Sequence, residues 1–231
     1  MKKLLTAAVS SILFCSPVPA SDKSDVTERL ANAATVLKEI ADIPDKGIPK
    51  DLLDKCACVA VIPSMKKGGF IFGANYGRGA ISCRTKGGDG PWSPPSMLLL
   101  EGGSFGLQIG AQAVDLVLVV MNLSGLESLL DSKFTLGGDA SVAAGPVGRT
   151  AAAETDAWMT AKILAYSRTR GLFGGVIVKA GAVRPDKDAN RIIYGKDVSP
   201  KKILLEGGEP TPADGAALVN EITKISPTKR K

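Results

Sequence analysis

The chain contains no histidine. That absence excludes a Ser-His-Asp triad, a Cys-His pair and any imidazole metal ligand. Aromatic residues are also scarce, at 5% of 231 residues, although 45% of the chain is apolar. A core of adequate size is therefore built from aliphatic side chains, alanine and some of the 26 glycines. The apolar run at 4–14 is too short to span a bilayer as a helix. The formal charge of +6 is mild, well short of a nucleic-acid-binding composition.

What is present at the amino terminus reads as an export signal. Lys2 and Lys3 precede the apolar run, and Val18-Pro19-Ala20 gives a small-x-small cleavage site. The expectation is an exported chain, periplasmic or secreted, that starts at Ser21. Its formal charge would be +4 once Lys2 and Lys3 are removed. Cys15 invites a lipoprotein reading, but Phe14 stands where a lipobox needs a small residue.

Three cysteines would remain in an oxidising compartment: Cys56, Cys58 and Cys83. Cys56 and Cys58 would share one side of a strand, and a bridge between them would need an unusual tight loop. The expected bridge joins Cys83 to Cys58 or to Cys56 and leaves one thiol free.

The hydrophobic pattern predicts an amphipathic helix over 24–43, with Val26, Leu30, Ala33, Leu37 and Ile40 on one face and Ser24 as its N-cap. A short helix follows at 48–55. Strands are expected at 58–62 (ended by Pro63), 69–76, 79–84, 97–100, 105–109 and 114–121. A helical turn at 126–130 precedes a glycine-interrupted strand pattern at 134–143. Residues 156–168 read equally as helix or strand, and 172–183 as strand. Short helices near 200–205 and 212–224 lead to the basic tail Lys229-Arg230-Lys231. Glycine recurs beside Val, Leu and Ile at Gly102, Gly103, Gly106, Gly110, Gly137, Gly138, Gly145 and Gly148. Within strands this marks bends or close backbone approach. The organisation expected is an export segment at 1–20, a helix and linker at 21–47, a main domain at 48–206 and a C-terminal helix and tail at 207–231.

Two motifs suggest chemistry and lack its parts. Gly102-Gly103-Ser104-Phe105-Gly106 matches the nucleophile elbow G-x-S-x-G, but there is no histidine to take the serine proton. The run 186–190 resembles the start of a calcium loop, yet Arg191 occupies the position that needs glycine. An Asp/Asn-rich turn is the better reading there. Asp115, before the apolar run 116–121, is read as capping a turn or pairing with Arg149 or Arg168.

Six blocks together carry a family resemblance. They are Trp92-Ser93-x-Pro95, Gly103-Ser104-x-Gly106-x-Gln108-x-Gly110, Asp115-Leu116-Val117, 144–149 (AGPVGR), 165–168 (AYSR) with 171–175 (GLFGG), and Asn190 with Tyr194-Gly195. In this order the chain resembles the SYLF lipid-binding domain family, also described as the Las17-binding or actin-regulator domain, over about 48–205. The resemblance implies an affinity for anionic, phosphoinositide-like phospholipid, and in fungal members for actin. For a chain with an export signal actin is not the expected partner. The family supplies no agreed catalytic residues.

The sequence therefore predicts an α+β fold: a curved, mostly antiparallel sheet or barrel-like sandwich flanked by N- and C-terminal helices. The expected function is non-enzymatic binding of an anionic phospholipid surface in the cell envelope, with no cofactor, metal or nucleic acid. The alternative is an envelope structural or protein-interaction role. Candidate lipid contacts are Lys66, Lys67, Arg168 and Arg170, with Arg78 and Arg84 as second choices.

Overall fold

Asp22 opens the first helix. Its side chain accepts a hydrogen bond from the Asp25 N–H at 2.8 Å, and α1 (Lys23–Ala41) follows. Ser24 lies inside the first turn and is not the cap. Val26, Leu30, Ala33, Leu37 and Ile40 form the buried stripe, each large aliphatic side chain contributing about 1.5–3 kcal/mol. The computed structural model describes residues 22–43, 47–69, 72–105, 110–130, 135–136, 142–148, 161–169, 172–175 and 181–227. The predicted export segment, Gly106, Gln108, Gly137, Gly138, Arg149, Arg170, Gly171 and the basic tail lie outside the described residues.

After α2 (Lys50–Lys55) come β1 (Cys58–Gly69), β2 (Phe72–Cys83), β3 (Ser96–Phe105) and β4 (Gly110–Val120). Then follow α3 (Leu123–Leu130), β5 (Thr135–Leu136), β6 (Val142–Ala144), β7 (Ile163–Thr169), β8 (Leu172–Gly175) and β9 (Gly181–Pro185). The chain continues through α4 (Lys187–Tyr194), a π-helical turn (Lys202–Glu206) and α5 (Ala216–Ile225). Among the described residues the strands form one curled sheet in the order β5-β9-β3-β2-β1-β4-β7-β6, with β8 on β7. Every pairing is antiparallel except β6 with β7. The fold is α+β.

Both faces of this sheet are covered. Val59, Val61, Ala80, Met97, Val117, Val119, Leu164 and Tyr166 pack under α1, α2 and α5. The alternate residues Ala60, Ile62, Ile81, Leu98, Leu100, Leu116, Leu118 and Ile163 pack with α3 and the π-helical turn on the other side. Burial on both faces explains why residues 116–120 of β4 read as a continuous apolar run, since no position there is left for a solvent-facing residue.

Two predicted strand ends are corrected. Pro63 does not end β1; the strand continues to Gly69 through a bulge. Ile62 pairs with Leu116 and Met65 with Val114, so β1 carries one extra residue opposite Asp115. Ser64 takes the left-handed conformation there, with φ of 49°. Nor do Gly77 to Gly79 separate two strands: β2 is continuous. These glycines permit close approach to the bulge, because a Cβ on Gly79 would collide with the Val61 carbonyl and Ile62. The ambiguous run at 156–168 contains β7, and the Asp-rich turn at 186–190 is the start of α4, with Asp186 as its N-cap.

The structure joins Cys58 to Cys83, which face each other in the β1–β2 register, and leaves Cys56 free and buried. Arg84, next along, is 2% exposed and lies 4.6 Å from the Trp92 ring centroid. It donates to the Ser226 hydroxyl at 2.7 Å and to the Ser226 and Pro227 carbonyls, which fastens the end of α5 to the sheet. The carbonyl end of that helix supplies the negative partial charge that a buried guanidinium needs.

Candidate functional site

The helical cover over one sheet face ends near Glu39, and beyond it the strands continue. Among the described side chains the last buried ones towards this end are Met65 in β1, Leu100 in β3 and Val114 in β4, whereas Lys66, Ala74, Tyr76, Glu101 and Ala113 are exposed. Four residues of β1 follow Met65, which extends the strand by about 13 Å at the usual rise. The antiparallel registers bring several strand ends to the same side. Gly69 pairs with Gly73 and with Gly110, Phe72 with Phe105, and Thr169 with Leu172. This is the open end of the sheet.

The bulge sets which side chains face out here. An extra residue in β1 reverses the alternation, so Met65 stays on the same buried face as Ile62 and Lys66 emerges on the other. Asp115 sits opposite the bulge. Its Oδ1 accepts the Ser64 N–H at 2.9 Å, and its Oδ2 accepts Nε and Nη2 of Arg168 at 3.0 and 2.8 Å. Glu39 of α1 also accepts from Arg168. Asp115 thus both caps a turn and pairs with Arg168. Partial burial works against the Arg168 charge, but the hydrogen bonds to Asp115 and Glu39 outweigh it, so its pKa lies above the ordinary arginine value.

The candidate cations therefore differ in kind. Lys66 is exposed and Lys67 half-buried, and among the described residues neither has an acidic partner. Arg168 is held by two carboxylates. Arg78 lies 3.9 Å from Asp186, which also meets Arg29 at 3.4 Å, and its guanidinium stands 5.7 Å from the Tyr76 ring centroid. Arg84 is buried under α5.

Apolar groups share this open end. Leu172, at 80% exposure, is the most exposed large hydrophobic residue among those described, and Tyr76, opposite Lys66, is 38% exposed. Sequence reading passed over Tyr76, Leu172 and Glu39. The strand alternation running back from Ala80 would have put Tyr76 beside Lys66. Nothing local signals that Glu39 reaches Arg168, a contact 129 positions away along the chain.

Catalytic and metal parts are sparse in the described structure. The backbone of Ser104 lies within β3, paired with Gly73. Among the described residues no group of three Cys, Asp or Glu could hold a metal ion, and no helix is long and apolar enough to cross a membrane.

Comparison with known proteins gives one consistent family. The family model Ysc84, described as Las17-binding protein actin regulator, matches residues 101–225. LAS seventeen-binding protein 3 of Saccharomyces cerevisiae is 36% identical over 202 residues, covering 86% of this chain and 43% of the yeast protein. Protein YSC84 of the same yeast is 34% identical over 197 residues, covering 82% and 41%. The human SH3 domain-containing YSC84-like protein 1 is 32% identical over 209 residues, covering 88% and 59%. The chain thus spans about half the length of the curated relatives it matches. With a family model that matches more than half of the chain and relatives above 30% identity that cover more than four-fifths of it, the chain belongs to the Ysc84, or SYLF, family.

Proposed function

We propose that the open end of the sheet binds an anionic phospholipid surface, without catalysis. The observation that carries this reading is the pairing of two cations, Lys66 and Lys67, which have no acidic partner among the described residues, with the exposed Leu172 at the same end. Lysines attract the anionic headgroups, while leucine and the tyrosine ring enter the interface between headgroup and chain. Arg168 braces the surface: with Asp115 and Glu39 it leaves no net positive charge for a lipid, and it pairs with Asp115, which holds the bulge that presents Lys66. The site of action is the cell envelope after export.

A protein partner is the second reading. It is favoured by the yeast relative LAS seventeen-binding protein 3 and by the family's description as Las17-binding protein actin regulator.

Liposome co-sedimentation of the full chain separates the two. Anionic vesicles should bind it and neutral ones should not, with the bound fraction falling as salt shortens the Debye length from about 10 Å at 0.1 M. Each basic side chain near an anionic surface is worth about 1 kcal/mol. Reversing Lys66 and Lys67 to Glu together should therefore weaken binding tenfold or more, given about 1.4 kcal/mol per decade. Equal binding by the double variant would move the site elsewhere. No binding by the wild type would favour the protein partner.

A further inference from the structure

The helical layer contains a cavity of about 470 Å³ between the end of α1, the start of α2 and the end of α5. Its residues fall in a gradient. Leu37, Ile40 and Leu53 are buried and form the floor. Ile43, Ile48 and Ile225 are half-buried and form the walls, and Ala41 is exposed at the mouth. One edge is fixed by the Gly148 N–H, which donates to the Gly47 carbonyl at 3.2 Å.

We propose that this cavity takes the hydrocarbon chain of a single-chain amphiphile, a fatty acid or a lysophospholipid, with its head in water at the mouth. The volume falls within the range of small-molecule pockets, about 300–1,000 Å³. It is far larger than the space one inserted side chain fills. Among the described residues the side chains of floor and wall are all aliphatic. A polar ligand would lose its hydration there and gain no partner. An aromatic ligand would find no ring to stack on. The charged side chains that line the cavity among the described residues, Lys50 and Asp51, begin α2, and Lys50 Nζ already meets Asp54 at 2.9 Å. Both signs of charge stand at the mouth, which suits a carboxylate or a zwitterionic phosphocholine head equally. An apolar interior with charge confined to the rim selects an elongated molecule with one polar end.

This site does not depend on the surface reading. Lys66 and Lys67 lie beyond the bulge of β1, on strand residues that contribute nothing to the cavity wall. The two proposals can therefore fail separately.

The test is titration of the full chain with 11-(dansylamino)undecanoic acid, a fluorescent single-chain carboxylate. Wild type should bind one equivalent, with a blue-shifted emission. Dodecanoic acid should displace the probe, and octanoic acid, with less chain to bury, should do so at least tenfold more weakly. Displacement by lysophosphatidylcholine as well would show that the chain, not the carboxylate, is recognised. Ala41→Trp fills the mouth from an exposed position and should weaken probe binding at least tenfold. Ala41→Ser should bind as wild type does, which separates filling from any loss of fold. The Lys66→Glu, Lys67→Glu double variant should keep full probe binding. Absence of saturable binding by wild type, or equal binding by Ala41→Trp with an unchanged thermal midpoint, overturns the proposal. If probe binding persists while anionic vesicles are ignored, the cavity stands and the surface reading falls.

Discussion

Gly145 lies flat against the ring of Tyr166, with the positions a Cβ would need already taken by ring atoms. The ring itself is fully buried and stacks on Phe173, with centroids 5.6 Å apart and planes 3° from parallel. The backbone of residue 145 thus forms one wall of a slot closed by Phe173. Gly145→Ala should destabilise the protein by about 1–3 kcal/mol through overpacking, measured as a drop in denaturant midpoint at unchanged slope. The Tyr166 hydroxyl has no hydrogen-bond partner among the described residues. Tyr166→Phe should therefore be close to neutral, since no bond is lost with the hydroxyl.

Asp115 supports the bulge and Arg168 at once. Asp115→Ala removes the acceptor of the Ser64 N–H and of both hydrogen bonds that Arg168 makes to this carboxylate, leaving Glu39 as the remaining acidic partner described for Arg168. A loss of about 1.5–3 kcal/mol is expected for hydrogen bonds to a charged group of this exposure. Asp115→Asn keeps an acceptor for Ser64 and should recover part of that loss. Chemical denaturation of the two variants side by side measures the difference. If both match wild type, Ser64 holds its conformation without help from β4.

How much of this was legible beforehand depends on the range of the interactions. The stripe of α1 was readable because Val26, Leu30, Ala33, Leu37 and Ile40 recur at the local helical period. The start of β1 was readable from its apolar run, but its continuation past Pro63 was not. A proline ends most central strands unless a bulge accommodates it, and this bulge is held by Asp115, 51 positions from Ser64. Gly77 and Gly79 looked like breaks for the same reason, since the groups that crowd them belong to β1. At the candidate site, Lys66 and Lys67 fell between the strands expected at 58–62 and 69–76 and are residues of β1. Arg168 was named as a surface cation, and the fold surrounds it with Asp115 and Glu39. Composition reveals which charges exist, and tertiary contacts decide which of them face solvent unpaired.

The thiols provide a check on the sheet register. Cys58 and Cys83 are directly opposed, whereas Cys56 packs with the helical layer and donates its S–H to the Leu53 carbonyl at 3.1 Å. In the exported chain expected to start at Ser21, which lacks Cys15, one free thiol should be counted in denaturant without reductant. Burial pushes the Cys56 pKa up to about 12 despite the nearby Arg84, so native protein at pH 8 should resist iodoacetamide. Reaction should follow the unfolding transition. Reduction of the bridge, which spans 25 positions, should cost about 3 kcal/mol on the chain-entropy account. Three free thiols in non-reduced, denatured protein would refute the pairing.

Glu209 provides the pH dependence. Its carboxylate meets Lys196 Nζ at 2.7 Å and Lys202 Nζ at 3.1 Å, tying the segment after α4 and the π-helical turn to one buried acid. The hydrogen bond from Lys196, then that from Lys202, holds its pKa below the ordinary carboxylate value. A carboxylate with a depressed native pKa binds its proton more weakly when folded than when unfolded. Its stabilisation is complete above the unfolded value, about pH 4.3, and disappears as pH falls through the lower native value. Glu209→Gln should therefore melt below wild type by a constant margin from pH 8 to about pH 5.5, and that margin should close on acidification towards pH 3. Thermal melting of both proteins across this range measures the margin directly. A margin that persists unchanged at pH 3 would show that shape, and not the charge on Glu209, holds these segments together.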